Sequence, residues 1–197
     1  MLDKLQQSVG YLKTKGDVVY TICDMRSEEA MNLQRKIVDA IDNKYNWDLY
    51  RSLVGELHRK FKVRQYAFHN IVVTTGRAVL ARLLAGETTY SGEINYCALG
   101  NYTATATASD TTLGNELYRK EVSSKAYASN NAYVSTFFTA TEIDGTFEEV
   151  GHFIDGTAVV DSGQLFSRIA SPNTAELPVT KSNTESLTID YKVILLS

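Results

Sequence analysis

The period of apolar residues along the chain points first to helices. After Ser27, a residue type that commonly caps helices, apolar positions recur every three or four residues over 28–42 and again over 46–61. Each stretch predicts a helix with one apolar side, and we interpret the pair as a helical hairpin. The apolar sides need a covering surface, which either the rest of the chain or a neighbouring subunit would supply.

Eight residues of these two stretches are the candidate interface with such a partner. They are Leu33, Ile37, Ile41, Trp47, Tyr50, Leu53, Leu57 and Phe61.

Strand patterns dominate after the helices. Alternating side chains predict a strand over 64–74, a short apolar helix follows at 76–85, and a second strand is predicted at 93–99. Residues 17–23, with their β-branched and aromatic side chains, predict one earlier strand. The small polar residues of 100–114 favour a loop.

From Glu116 onward the whole chain has β character. We expect 116–124 to pair with 132–143 across a turn at 129–131, and Asp144-Gly145 to join that strand to the next in a hairpin. Turn residues then recur at a spacing of roughly ten residues, which is typical of a sandwich or jelly roll.

The last strand has two distinct faces. One carries Leu187, Ile189, Tyr191, Val193 and Leu195, and the other carries Thr188, Asp190 and Lys192. This alternation predicts a strand with one buried side.

The chain is therefore predicted to be α+β. A helical hairpin in a front end at 1–63, which we interpret as an attachment region, precedes an antiparallel, jelly-roll-like β-sandwich with one short helix at 64–197. We expect 64–197 to fold without the front end.

Composition narrows the function classes. A net charge of -3 over 197 residues gives no global field that would favour nucleic acid. The first 20 residues lack a basic region followed by an apolar run, and no apolar stretch has the roughly 20 residues that span a bilayer, so we expect neither a secretory signal nor a membrane segment. The two cysteines, Cys23 and Cys97, are expected to be free.

The order of elements between Asn70 and Leu195 resembles a family of small virion proteins of tailed bacteriophages. The segments that carry this likeness are NIVVTTGRAVLARLLAG, INYCALGN, SDTTLGNELYRKEV, GTFEEVGHFI, QLFSRI and PVTKSNTESLTIDYKVIL. GHFI at 151–154 departs from the Gly-Leu-Phe that relatives often carry, and residues 1–63 have no counterpart.

The resemblance implies a non-enzymatic structural protein in the virion, assembled in the host cytoplasm. Its partners would be other virion proteins, in a homo-oligomer or a symmetric assembly on the particle, with no membrane and no nucleic acid. A tail, baseplate or fibre-attachment role is favoured over capsid decoration or a head fibre. The other alternative is a module that binds carbohydrate or a receptor on the host surface, through loops such as 100–114 and 155–163.

Residue patterns predict no catalytic residue, no cofactor and no metal. Glu148 and His152 would share a strand face and form an acid–base or metal fragment, but a cross-strand hydrogen bond or an exposed face is the simpler interpretation. Asp155 and Asp161 match no calcium loop and fit turn chemistry.

Two surface features keep alternatives open. The basic run at 59–64 would contact DNA or an acidic partner, or would simply place cations at a helix C-terminus, where the helix dipole favours them. The 12 tyrosines have two equally good interpretations. They would form subunit interfaces or sugar-binding surfaces, or they would reflect the ordinary composition of β-sheets.

Overall fold

The computed structural model of the chain describes residues 13–43 and 46–196. Within them it has three helices and eleven strands. The helices are α1 (Glu28–Asp42), α2 (Trp47–Phe61) and α3 (Thr74–Leu84). The strands are β1 (Lys13–Asp24), β2 (Lys62–Val72), β3 (Ile94–Gly100), β4 (Glu116–Glu121), β5 (Ser124–Ala128), β6 (Asn131–Phe138), β7 (Gly145–Phe147), β8 (Glu149–Ile154), β9 (Gln164–Ala170), β10 (Val179–Lys181) and β11 (Glu185–Leu196).

Nine of these strands form one antiparallel, curled sheet in the order β4-β3-β8-β9-β2-β1-β11-β6-β5, and β7 pairs separately with β10. The predicted mixture of helices with an antiparallel sheet is thus confirmed at the level of α+β. Strand β2 joins the two halves of the sheet, because its first part pairs with β1 while Ile71 and Val72 pair with β9.

The main core lies between the two halves of the curled sheet. It includes the apolar face of β11, with Leu187 and Ile189 fully buried, and the face of β1 that carries Tyr20. On the opposite half, Val150 and Ile154 of β8 join the same cluster. The predicted burial of one side of the last strand is confirmed.

Helices α1 and α2 cover the other face of the β1–β11–β6 half. Ser27 caps α1 by accepting a hydrogen bond from the Ala30 N–H, and Asn46 does the same for α2 through the Leu49 N–H. The apolar sides of the helices pack with Phe137 of β6 in a second cluster. The chain's own sheet therefore supplies the covering surface for both helices.

Strand β1 makes part of the predicted front end a component of the sheet. It lies between β2 and β11 and pairs with β11 from Lys13 to Asp24, so residues 13–24 are an interior part of the sheet. The proposed boundary at residue 63 does not separate helices from strands. The sequence could not indicate this position, because alternation within a strand does not reveal which strands flank it.

We therefore expect a chain that lacks residues 1–63 to fail to fold, in contrast to the expectation from the sequence. Its removal takes Val18, Tyr20 and Ile22 out of the main core and exposes the paired edges of β2 and β11. Circular dichroism with thermal unfolding tests this expectation. A cooperative transition in the 64–197 fragment would contradict it.

Two predicted strand pairings are wrong. Strand β4 pairs with β3, and the hairpin partner of β6 is instead β5, which turns at Ser129 with a φ of 54°. Asp144-Gly145 does not join β6 to a neighbouring strand, because the strand that follows it, β7, pairs with β10. Dipeptide turn signals mark a change of direction, but they do not fix the partner strand.

Candidate functional site

A groove with a volume of about 640 Å³ runs between α2 and the helix-covered face of the sheet. Strands β1, β11, β6 and β5 form its floor, and β5 is an edge of the described sheet. Side chains and backbone of the following residues line it: Asp17, Val19, Tyr50, Arg51, Val54, Gly55, His58, Ser124, Ala126, Tyr127, Ala128, Tyr133, Val134, Ser135, Asp190, Tyr191 and Lys192. We call this surface the α2 groove.

Strand register places the polar floor residues in two neighbouring rows. In one row, Ser135 of β6 lies opposite Asp190 of β11, which lies opposite Val19 of β1. In the next row, Tyr133 lies opposite Lys192, which lies opposite Asp17. Because residues two apart share a face, both rows point toward α2.

The wall formed by α2 follows helical spacing. Tyr50, Val54 and His58 lie four residues apart on one side of the helix, so the wall of the groove includes Tyr50 and Val54 of the apolar stripe of α2. The Tyr50 hydroxyl lies 2.9 Å from Ser135 Oγ, and His58 Nε2 lies 2.9 Å from Thr188 Oγ1. These two contacts tie the helix to the polar face of the sheet.

Burial shifts the titration of both helix groups. It raises the pKa of Tyr50 and, with a smaller effect from the charge of Lys62, lowers the pKa of His58 to about 4. His58 is thus neutral at pH 7. It is half-buried against β11.

Asp190 is one of the two acidic groups at the floor of the groove, with Asp17. Burial raises the pKa of its carboxyl group, and the Ser135 hydroxyl opposes that rise with a smaller effect. The Asp190 side chain is half-buried and lines the open groove. Within the described residues, no basic side chain forms an ion pair with it.

The predicted interface residues are mostly occupied by the chain itself. Leu33, Ile37, Tyr50 and Leu57 are at most 5% exposed, inside the cluster between the helices and the sheet. Partly buried neighbours of the same cluster are Ile41, Leu53 and Phe61. A role in contacting another subunit is therefore corrected for the buried four, since the chain's own helices and sheet bury them.

Trp47 is the exception among the predicted interface residues. It is 39% exposed and lines a second concave region of about 560 Å³, together with Ile41, Lys120 and Lys125. This region lies where the end of α1 and the start of α2 face residues 120–125. Trp47 thus remains accessible to a partner.

The proposed Glu148–His152 fragment does not form. The His152 ring is buried and stacks on Tyr191 with ring centroids 4.1 Å apart, and its Nδ1 lies 3.3 Å from Ser167 Oγ. Burial lowers the pKa of His152 to about 3, so the ring is neutral inside the core. Over the ranges 13–43 and 46–196, no group of three or more His, Cys, Asp or Glu residues is placed to hold a metal ion.

Both cysteine thiols are free and buried, and burial raises the pKa of Cys23 and of Cys97 to about 12. Such thiols are poor nucleophiles, since the thiolate is the reactive form.

Two of the four cations in the basic run at 59–64 pair with carboxylates. Lys60 Nζ lies 2.6 Å from Glu29 and 2.7 Å from Glu56, and Arg64 pairs with Glu185 at 2.8 Å. These contacts favour the interpretation of the run as ordinary surface cations near a helix end.

The two loops considered for host recognition are held by buried charges. Glu149, with a side chain that is 0% exposed, pairs with Arg168 at 2.7 Å, and Arg168 also pairs with Asp110 at 2.6 Å. Glu149 accepts hydrogen bonds from the backbone N–H groups of Tyr102, Gly114 and Asn115. The carboxylate thereby fixes both ends of the 101–115 loop.

Arg119 performs the same task for the 155–163 loop. It pairs with Glu116 at 2.5 Å, donates to the carbonyl oxygens of Thr157 and Ser162, and lies over the Phe153 ring at 4.6 Å. Loops fixed in this way present a defined surface, but the buried charges themselves serve folding.

Sequence reasoning missed the α2 groove. Asp190 and Lys192 were recognised as one face of the last strand, but the helix that turns this face into a groove lies more than 100 positions earlier in the chain. Gly55 was also missed. A glycine in the middle of an amphipathic helix was the signal that could have drawn attention to it.

A search of protein-family models, of curated proteins and of solved structures finds no match to this chain. No helix among the described residues has the length and apolarity needed to cross a membrane.

Proposed function

We propose that this chain is a non-enzymatic structural component of a tailed-phage particle that binds other virion subunits. Attachment within a tail, baseplate or fibre is favoured over decoration of the capsid or a head fibre. The observation that supports a binding role is the α2 groove, an open concave surface of about 640 Å³ bounded by the edge strand β5. The phage context is supported by the resemblance over residues 70–195.

The proposal includes the finer architecture and the location. We propose that the curled sheet is a jelly-roll-like sandwich and that α1 and α2 form a helical hairpin on it, since both sheet halves share one core and both helices share another. The protein would be assembled in the host cytoplasm and reside in the virion as a homo-oligomer or symmetric assembly. No membrane or nucleic acid is needed for this role.

A second candidate is a module that binds carbohydrate on the host surface. The α2 groove favours it, because Tyr133 is 38% exposed and lies in the same face as the hydroxyl of Ser135 and the carboxylate of Asp190. An aromatic ring beside hydrogen-bonding groups suits a sugar as well as a protein.

Binding of the purified full chain to particles that lack it separates the two candidates. We expect the chain to co-sediment with such particles and to saturate at a defined copy number, and to show no binding to arrays of host glycans. Particles that already contain the chain serve as the control, since their sites are filled. A monomer that binds glycans and binds neither kind of particle would contradict the proposal and support the second candidate.

A further inference from the structure

Among the charged groups that line the α2 groove, Asp17 and Arg51 pair with an opposite charge, Lys192 lies over an aromatic ring, and Asp190 pairs with no charged group of the described residues. Asp17 Oδ1 lies 2.6 Å from His69 Nδ1 and 3.5 Å from Lys15 Nζ. Arg51 pairs with Asp48 on the same helix. Lys192 Nζ lies over the Tyr133 ring, 5.9 Å from its centroid.

Asp190 is therefore the acidic group of the α2 groove that has no counter-charge among the described residues. The described chain holds no cation within ion-pair distance of its carboxylate, and His58 across the groove is neutral. A half-buried carboxylate without a counter-charge is unfavourable for folding, because the Ser135 hydroxyl replaces only part of the hydration that the charge loses. The position therefore calls for a positive group from outside the chain.

Gly55 is an independent sign of an external occupant. It lies in the middle of α2 and lines the groove, and a Cβ placed there would have no heavy atom within 4 Å. Glycine destabilises a helix interior relative to alanine, and the packing of this chain does not require it here. A glycine at such a place leaves room for another molecule to approach the helix backbone.

We propose that the α2 groove binds a lysine or arginine side chain from a partner polypeptide. Its aliphatic part lies against Gly55 and Val54, and its cationic end pairs with the Asp190 carboxylate. This inference rests on the proposed role in binding other virion subunits and names the chemistry of that contact. The groove volume falls in the range of sites that hold a small molecule or a short peptide segment. The groove therefore has room for the partner residues that flank the lysine or arginine.

The apolar walls support a long amphipathic side chain over a free inorganic cation. Val54 and Gly55 border the groove from the helix, and Tyr133, which is 38% exposed, presents an aromatic ring from β6. Lysine and arginine carry an aliphatic stem that packs on such surfaces while the charged end reaches a polar group, and aromatic rings attract the cation.

Titration of the isotope-labelled full chain with short peptides tests the inference by NMR. The probes are acetyl-Ala-Ala-Lys-Ala-Ala-amide, its arginine and norleucine counterparts, and maltotriose as a sugar. We expect the lysine and arginine peptides to shift the amide signals of Gly55 and Asp190. The norleucine peptide should bind at least about tenfold more weakly, which is the ratio for loss of one charge-assisted hydrogen bond.

Two pairs of variants make the test specific. Asp190→Asn should weaken binding of the lysine peptide about tenfold or more, whereas Asp144→Asn, the same change at an exposed turn, should not. Gly55→Phe should abolish binding by filling the groove, whereas Ser52→Phe, on the exposed side of the same helix, should not. Thermal unfolding verifies that each variant is folded.

Equal affinity for the lysine and norleucine peptides, or an unchanged affinity in Asp190→Asn, would overturn the inference. Maltotriose shifting the same amides in place of the peptides would overturn it in favour of a sugar site. The particle assay distinguishes this failure from failure of the proposed function. If the Asp190→Asn variant binds particles as the wild type does, only the cation contact is rejected. If the wild-type chain binds no particle, the proposed function is rejected.

Discussion

Replacing Glu149 with alanine should destabilise the protein by about 3–5 kcal/mol, the range for removing one partner of a buried ion pair. The change leaves the Arg168 guanidinium buried with Asp110 as its remaining carboxylate and leaves three backbone N–H groups of the 101–115 loop without their acceptor. Urea unfolding followed by circular dichroism measures the loss.

The matched control is Glu148→Ala, one position earlier and half-buried. Its side chain forms no ion pair with any described residue, so its effect should stay within about 0.5 kcal/mol. Equal effects of the two substitutions would contradict the role assigned to Glu149. A loss confined to protection of the 101–115 amides from hydrogen exchange, with unchanged global stability, would show that the ion pair holds the loop alone.

Mild acid should destabilise the protein through His58 and His152, whose pKa values are lowered in the folded state. Burial lowers the pKa of His152 to about 3 and that of His58 to about 4, whereas the unfolded chain titrates near 6.5. Between these values the unfolded state binds more protons than the folded state, so stability falls as pH falls from about 6.5 toward the folded pKa values. Each histidine should contribute about 2 kcal/mol of lost stability between pH 7 and pH 5.

Urea unfolding at several pH values in that interval measures the effect, with His152→Phe as the test variant. Phenylalanine keeps a ring to stack on Tyr191 but does not titrate, so the variant should lose about half of the pH dependence. The same slope in the wild type and the variant would show that His152 is not neutral in the folded state.

Local structure was the part of the fold that the sequence could indicate. The helix spans 28–42 and 46–61 agree with α1 and α2 to within one residue, because capping residues and a period of 3.6 are local signals. The order of the strands in the sheet could not be predicted from the sequence. The interior position of β1 and the β4–β3 pairing depend on contacts between residues far apart in the chain, which alternation in a single strand does not encode.

The candidate site shows the same division. Thr188, Asp190 and Lys192 were correctly placed on one face of the last strand, yet α2 covers part of that face, and only the fold reveals it. The apolar stripes were correctly found too, but their burial against the chain's own sheet could not be told from burial against a partner. In both cases the pattern shows that a surface is covered and not what covers it.

The location of this chain in purified phage particles, determined by cryo-microscopy, is the most direct test of the proposed function. We predict density for the curled sheet at a defined site of the particle, with a lysine or arginine side chain of a neighbouring subunit in the α2 groove beside Asp190. Particles without such density, or with the chain present and the α2 groove facing open solvent in every copy, would contradict this account.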